Sequence, residues 1–372
     1  MKKISIALLL TMAPLLTTLS GSALGCTSFR LTAKDGTVLI TRSMEFGMDM
    51  KSELRTSPRD RAFTTTAPDG KPGLSWTSKY GYLFLGSLGI DGASDGMNEA
   101  GLSFEALYLP GYAKYQTVPA GQESHALPYT EIGDWILGNF KTVDEVRNAI
   151  PHILMFDEKV PGLGDTIFPL HFSVYDASGK GIIIEYINGK LSIHDNKIGV
   201  MTNAPGYDWH ITNLNNYTQL KPTNPNPVVE DKITFVATGQ GAGMVGLPGD
   251  ITPPSRFVKM AVLLDVVTPS QTGADALNMA QHMINNVDIP MGLAREPSNG
   301  NYTSETTEWV VFKDLTHKVF YYRTYGDMSL HAVSMSKLDF SKGAPRLRMS
   351  ITSPGYVKDM TSEFLTQQQK AN

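Results

Sequence analysis

Cys26-Thr27-Ser28-Phe29-Arg30-Leu31-Thr32-Ala33-Lys34-Asp35-Gly36-Thr37-Val38-Leu39-Ile40-Thr41-Arg42 is the stretch on which the reading of this 372-residue chain turns. Residues 27–33 alternate in polarity, Lys34-Asp35-Gly36 has the composition of a turn, and residues 37–41 run back. The pattern predicts a β-hairpin with Cys26 at its free end. A strand fixes backbone position better than a loose terminus does, so a reactive group at Cys26 would be held in a set place. The chain contains no other cysteine.

The residues before Cys26 have the form of a secretory leader. Lys2 and Lys3 make a basic start, Ile4 to Leu16 an apolar core too short for a comfortable membrane span, and Ser22-Ala23-Leu24-Gly25 a small-residue cleavage region. Cutting after Gly25 would leave a signal peptide of residues 1–25 and a single domain over residues 26–372. Cys26 would then carry its thiol and a free α-amine on one carbon, and an amine with pKa about 8 serves as a general base near neutral pH. Other readings stay open. Cys26 is also compatible with a small buried hydrophobe or with a thiol paired to another chain. A lipid-anchored binding protein acylated at Cys26 is a third, and acylation would block the amine. Lipoprotein leaders place a Leu-like residue three before the cysteine, whereas this chain has Ala23 there.

Composition narrows the remaining classes. The formal net charge is −4, and −6 once Lys2 and Lys3 leave with the signal peptide, which gives no reason to expect nucleic acid or an anionic membrane as partner. No second long apolar run follows the leader, so the mature chain is expected to be soluble. The eight histidines lack metal-ligand spacing, there is no G-x-S-x-G elbow, and Gly239 to Met244 lacks the Lys-Ser/Thr ending of a phosphate loop. Neither a metal nor another cofactor is expected, and Cys26 is left as the nucleophile candidate.

Along the chain, Pro58 to Gly73 reads as an exposed loop and Tyr80 to Ile90 and Leu102 to Leu109 as strands. Asp91 to Gly96 and Asn98 to Gly101 read as the turns between them. Pro128 to Phe140 reads as a helix, Thr142 with Glu145 opens a second one to about Ile150, and Pro161 to Asp165 forms a loop that could reach another subunit. Strands follow at residues 171–175, 181–187, 190–194 and 198–202, helices at 255–267 and 274–287, and strands at 308–312, 318–324 and 329–334. This order suits an α+β fold, a four-layer αββα sandwich of two antiparallel sheets.

A thiol nucleophile needs charge stabilisation and oxyanion donors. In the hairpin, Arg42 and Glu45 return toward Cys26. A guanidinium beside sulfur favours thiolate and a carboxylate could orient the amine, although a surface ion pair has the same sequence. Asn203 follows a strand and offers an amide donor or a turn. Arg256 begins a helix after Pro253-Pro254-Ser255, held either for the site or for a structural ion pair. Phe46, Tyr82, Phe84 and Tyr108 supply an aromatic acyl pocket or simply core.

Taken together, several separated motifs resemble the choloylglycine hydrolase family of the N-terminal nucleophile hydrolase superfamily, which holds bile salt hydrolases and penicillin V acylases. They are Cys26-Thr27, Thr41-Arg42-Ser43-Met44-Glu45, Met97 to Leu102, Pro110-Gly111-Tyr112-Ala113, Met201 to Pro205, and Gly246 to Asp250 leading to Pro254-Ser255-Arg256-Phe257. The resemblance implies the αββα fold and amide hydrolysis by Cys26 with its own α-amine as base. It further implies Arg42 beside the sulfur, an oxyanion hole from the Asn203 side chain and the Tyr108 backbone N–H, and electrostatic support from Arg256. Where the family often has Asp, this chain has Glu45. Tyr108, where bile salt hydrolases commonly carry Asn, is similar to penicillin V acylases and points to penicillin V as substrate. N-acyl homoserine lactones and conjugated bile salts are the alternatives. Similarity to the Gram-negative members implies a periplasmic location and a homotetramer.

Overall fold

A computed structural model of the chain describes residues 25–160, 165–298 and 300–352. The proposed leader, except Gly25, and most of the loop expected at Pro161 to Asp165 lie outside the described residues. The opening hairpin forms as its alternation requires. Strand β1 (Cys26–Thr32) pairs antiparallel with β2 (Val38–Phe46), setting Cys26 opposite Met44 and Ser28 opposite Arg42. Because successive side chains alternate between faces, Cys26, Ser28, Arg42 and Met44 share one face and Thr27, Ser43 and Glu45 the other.

The chain continues through β3 (Glu53–Ser57), β4 (Ala62–Thr66), β5 (Pro72–Thr77), β6 (Tyr82–Gly86), β7 (Asp95–Asn98) and β8 (Ser103–Tyr108). A short β9 (Ala126–Pro128) leads to α1 (Ile132–Asn139) and α2 (Val143–Ala149), then β10 (Leu154–Phe156), β11 (Leu170–Tyr175), β12 (Gly181–Ile187), β13 (Lys190–Asp195) and β14 (Val200–Met201). Next come α3 (Tyr207–Asn213), a ribbon of β15 (Val228–Glu230) and β16 (Ile233–Phe235), α4 (Pro253–Val266) and α5 (Gly273–Ile284). The last strands are β17 (Ala294–Ser298), β18 (Asn301–Asp314), β19 (Val319–Thr324), β20 (His331–Ser334) and β21 (Arg348–Ser350).

Two large antiparallel sheets result. One runs β14-β1-β2-β18-β19-β20 with β17 added to β18, the other β13-β12-β11-β8-β7-β6-β3-β21. Leu83, Leu85, Met97 and Leu107 of the second sheet join the core that includes Val311 and Trp309 of the first. Their even-numbered neighbours Tyr82, Phe84 and Phe104 join a second core with Ile132, Ile136 and Leu137 of α1. On the far face of the first sheet, Phe29 and Phe312 are buried with Phe257 of α4 and Met283 of α5. Each such fully buried aromatic contributes about 2 kcal/mol relative to exposure. The layers are therefore αββα, the expected architecture.

One irregularity matters for chemistry. The pairing of β18 with β2 shifts between Thr307, opposite Glu45, and Trp309, opposite Met44. An extra residue in one strand reverses the facing of everything beyond it. Thr307 thus shares the outer face with Glu45, while Trp309, Val311 and Lys313 point between the sheets.

Several local expectations are corrected. Pro58 to Gly73 is not simply a loop: β4 and β5 pair there, and Phe63 stacks on Trp76 with centroids 4.7 Å apart. Their polar residues read as solvent-exposed because one face of the ribbon is solvated. Asp95 and Gly96, read as turn, lie in β7 between β6 and β8. The helix expected from Pro128 starts only at Ile132, since residues 126–128 pair in parallel with β10. Thr142 does cap α2 by accepting from Glu145 N–H, whereas the Glu145 carboxylate reaches back to Lys141 N–H.

Candidate active site

At one end of the sandwich the start of β1 meets the ends of β2 and β8. Cys26 is 3% exposed, and its Sγ lies 3.5 Å from Arg42 Nη2 and 3.8 Å from Met44 Sδ. The strand register delivers both neighbours: Arg42 and Met44 stand on the inward face with Cys26.

Arg42 is fully buried and cross-bridges the sheets. Nη1 donates to Asp95 Oδ2 (3.2 Å) and Ser94 O (3.2 Å), Nη2 donates to Ala106 O (2.6 Å), and the guanidinium lies 5.1 Å from the centre of the Trp309 ring. Burial disfavours its charge, but Cys26, Asp95 and Glu105 together outweigh that, and its pKa moves up. A fixed cation is therefore held against the sulfur, the arrangement that favours thiolate.

On the outer face of the same hairpin, Arg256 of α4 is 1% exposed. Its Nη1 donates to Cys26 O (2.6 Å) and Thr27 Oγ1 (2.5 Å), its Nε to Ile251 O (2.9 Å), and its Nη2 to Asn203 Oδ1 (2.8 Å). The start of α4 is fixed locally by Asp250, which accepts from the hydroxyls of Thr252 and Ser255. Asn203 Oδ1 also accepts from Cys26 N at 2.7 Å. With its oxygen occupied by two donors, the amide must turn Nδ2 the other way, where it donates to Tyr108 O at 2.8 Å. Among the described residues its second proton has no acceptor and is available to another group.

Tyr108 takes its orientation from the ladder. Leu109 N–H bonds to Pro169 O, which turns the N–H and C=O of Tyr108 to the opposite edge, where Ala106 N–H meets Ser94 O. That is the edge on which Asn203 sits. Cys26, Arg42, Asn203, Tyr108 and Arg256, all singled out in the sequence, are thus brought together around the start of β1.

Glu45 is close by, on the face away from Sγ. Its backbone N–H bonds to Gly25 O (2.8 Å), Oε1 accepts from Thr307 Oγ1 (3.0 Å), and Oε2 is buried without a partner among the described residues. A Cβ on Gly25 would fall 3.2 Å from Glu45 Cβ and 3.3 Å from Arg256 Nη2. Burial pushes the Glu45 carboxyl up to about 7, against the opposing pull of Arg256. The group that accepts from Cys26 N in this chain, where that atom is a peptide nitrogen, is Asn203 and not Glu45.

Beside Sγ lies a cleft of about 750 Å³ counting its open mouth, lined mainly by apolar side chains. Met44, Phe46, Met50 and Leu88 form one wall, and Phe104, Tyr108, Tyr129 and Phe168 bring aromatic surface. Phe46 is there as expected. Tyr82 and Phe84 are not: their even-numbered positions on β6 aim them under α1, where Tyr82 OH donates to Asp134 Oδ1 at 2.6 Å. Of the two readings the sequence left for them, core is the right one.

The sequence reading missed Asp95, Glu105 and Lys313. Lys313 Nζ donates to Asp95 Oδ1 (2.7 Å) and Glu105 Oε1 (2.9 Å), and Ser28 Oγ donates to Glu105 Oε2 (2.6 Å), all between the sheets. A usable signal existed. Glu105 interrupts the otherwise apolar run Phe104 to Leu107, and a charge at an inward strand position requires a buried partner. Among the described residues, no group of three or more His, Cys, Asp and Glu is arranged to hold a metal ion.

Comparison with known proteins places the chain in context. Residues 26–348 match the family model of linear amide C–N hydrolases, choloylglycine hydrolase family. A bile salt hydrolase/transferase of Clostridium perfringens is 34% identical over 321 residues, covering 84% of this chain and 93% of that protein. The solved structure of a variant of conjugated bile acid hydrolase from C. perfringens superposes with TM-score 0.78 at 30% identity, over 90% of this chain and 99% of the other. Penicillin V acylase from Agrobacterium tumefaciens superposes with TM-score 0.71 at 26% identity, over 89% and 95%.

Proposed function

Because the chain belongs to the choloylglycine hydrolase family of linear amide C–N hydrolases, we propose that it hydrolyses the side-chain amide of penicillin V through Cys26 as an N-terminal nucleophile. Removal of residues 1–25 converts Cys26 N from a peptide nitrogen into the α-amine that serves as base. The thiol attacks the exocyclic carbonyl as its proton passes to that amine, and the oxyanion accepts from Asn203 Nδ2 and Tyr108 N–H. The ammonium then protonates the departing nitrogen, the C–N bond breaks, and 6-aminopenicillanic acid leaves a phenoxyacetyl thioester. Water, deprotonated by the same amine, attacks the thioester, returns the thiol and releases phenoxyacetate.

The observation that carries this reading is the apolar, aromatic-walled cleft that ends at Sγ, with the partly exposed Phe46, Tyr108 and Phe168 available to a flat aryl acyl group. A second reading, hydrolysis of conjugated bile salts, is favoured by the similarity to proteins of that name, and an apolar cleft also suits a steroid face. Rates on penicillin V, glycocholate and an N-acyl homoserine lactone under one condition separate the readings. Penicillin V is expected to give the highest kcat/KM; a higher value for glycocholate would replace this assignment with the second reading. A lipid-anchored role is the poorer account, since the thiol to be alkylated is buried against Arg42 and Met44.

Export to the periplasm and assembly into a homotetramer are part of the same proposal. The ribbon of β15 and β16 supports the second point, because it presents Val228, Val229, Ile233 and Phe235 to solvent, each more than half exposed. Contiguous apolar surface of this kind marks interaction sites. Light scattering of the purified protein is expected to give the mass of four chains, and Val229→Lys with Phe235→Lys a smaller one; a wild-type monomer would refute the assembly.

A further inference from the structure

Behind Arg42 lies a buried charge cluster that the reaction as described does not use. Lys313, Asp95 and Glu105 all have fully buried side chains. Each carboxylate oxygen has a donor: Asp95 accepts from Arg42 on Oδ2 and from Lys313 on Oδ1, and Glu105 accepts from Lys313 on Oε1 and from Ser28 on Oε2. Burial pushes the Glu105 carboxyl up, and Lys313 and the Ser28 hydroxyl pull against that push. Two basic side chains face two acidic ones in this cluster, with the sulfur of Cys26 at the end of the chain of contacts.

We propose that Lys313 is a positioning residue for the nucleophile: it neutralises Asp95 and Glu105 from the opposite sheet, and so leaves the Arg42 guanidinium free to hold the Cys26 thiolate. Without Lys313, Arg42 is the one cation of the cluster facing Asp95, Glu105 and the thiolate together. A third negative charge on sulfur then becomes harder to form. The strand bulge between Thr307 and Trp309 makes this possible, because it turns Lys313 inward. The other charged or titratable groups facing the cluster are few. Tyr175 of β11 lies within electrostatic reach of Glu105, and Arg256 of α4 reaches Cys26 through its carbonyl from the outer face, with Glu45 and Glu305 near Arg256. None of these donates to Asp95 or Glu105 as Lys313 does.

The inference rests on Cys26 as the nucleophile, but its test reads the thiol and not amide hydrolysis, so either can fail alone. The single cysteine makes alkylation by iodoacetamide unambiguous, and its rate as a function of pH reports the thiolate. Lys313→Met is expected to move the midpoint up by about one pH unit or more, which lowers the rate at neutral pH roughly tenfold. Glu105→Gln keeps an acceptor for Lys313, removes a negative charge, and is expected to move the midpoint down. The double variant Lys313→Met/Glu105→Gln restores the balance of one cation and one anion and is expected to return close to the wild-type profile. A merely structural role would not produce opposite shifts that cancel. Should Lys313→Met fail to fold, Glu105→Gln and the double variant still decide the matter. A Glu105→Gln midpoint that stays in place or rises, a folded Lys313→Met that coincides with wild type, or a double variant displaced from wild type by as much as either single variant would overturn the proposal.

Discussion

Cys26→Ser is expected to lose amide turnover by on the order of 10⁴-fold or more while the fold and thermal unfolding stay close to wild type. The change replaces sulfur by oxygen at one buried position whose side-chain neighbours are Met44 Sδ and Arg42 Nη2. Little packing depends on it, because the strand register and the bonds from Arg256 to Cys26 O and from Cys26 N to Asn203 are made by the backbone. The chemistry depends on it strongly. An alcohol is far less acidic than a thiol, so the cation at Arg42 has no readily formed anion to hold. Steady-state rates with a melting curve check both halves; substantial turnover by a folded Cys26→Ser protein would remove Cys26 from the nucleophile's role.

Loss of the Asn203 amide donor is expected to cost on the order of 10² to 10³ in kcat, about 3 to 4 kcal/mol of transition-state stabilisation. Asn203→Asp is the informative variant. It retains an oxygen for Cys26 N and Arg256 Nη2, the two donors that fix the side chain, and it removes Nδ2, which bonds Tyr108 O and carries the second proton. Asn203→Ala removes both functions and also leaves the buried Arg256 short of an acceptor, so it is expected to lose stability as well as activity. If the amide acts in the transition state, kcat falls in both variants while KM changes little. A purely structural Asn203 would instead lower the melting temperature of both variants, since each loses the bond to Tyr108 O, and leave kcat per folded molecule near wild type.

The sequence made the centre of the site legible because the relevant signals are local. Alternation over residues 27–33 and 37–41 defines the hairpin, and its register alone brings Arg42 and Met44 to Cys26. Long-range parity was much less visible. Phe84 looks the same in sequence whether its strand turns it toward the thiol or toward α1, and only the pairing of β6 with β3 and β7 decides. Asp95 was hidden by an Asp-Gly dipeptide that resembles a turn but lies within a strand. Lys313 was hidden by the bulge at Thr307, which reverses facing without any glycine or proline to announce it. Strands β3 and β21 pair across nearly the whole chain, a contact that no local pattern encodes.

The most direct measurement is mass spectrometry of the N-terminal peptide after acid quenching during penicillin V turnover. The expected result is a chain that begins at Cys26 and carries one phenoxyacetyl group on its sulfur, with the same peptide unmodified before substrate is added. A chain that begins upstream of Cys26 yet turns over substrate, or one whose Cys26 carries a diacylglyceryl group, would contradict the assignment of Cys26 as an N-terminal nucleophile.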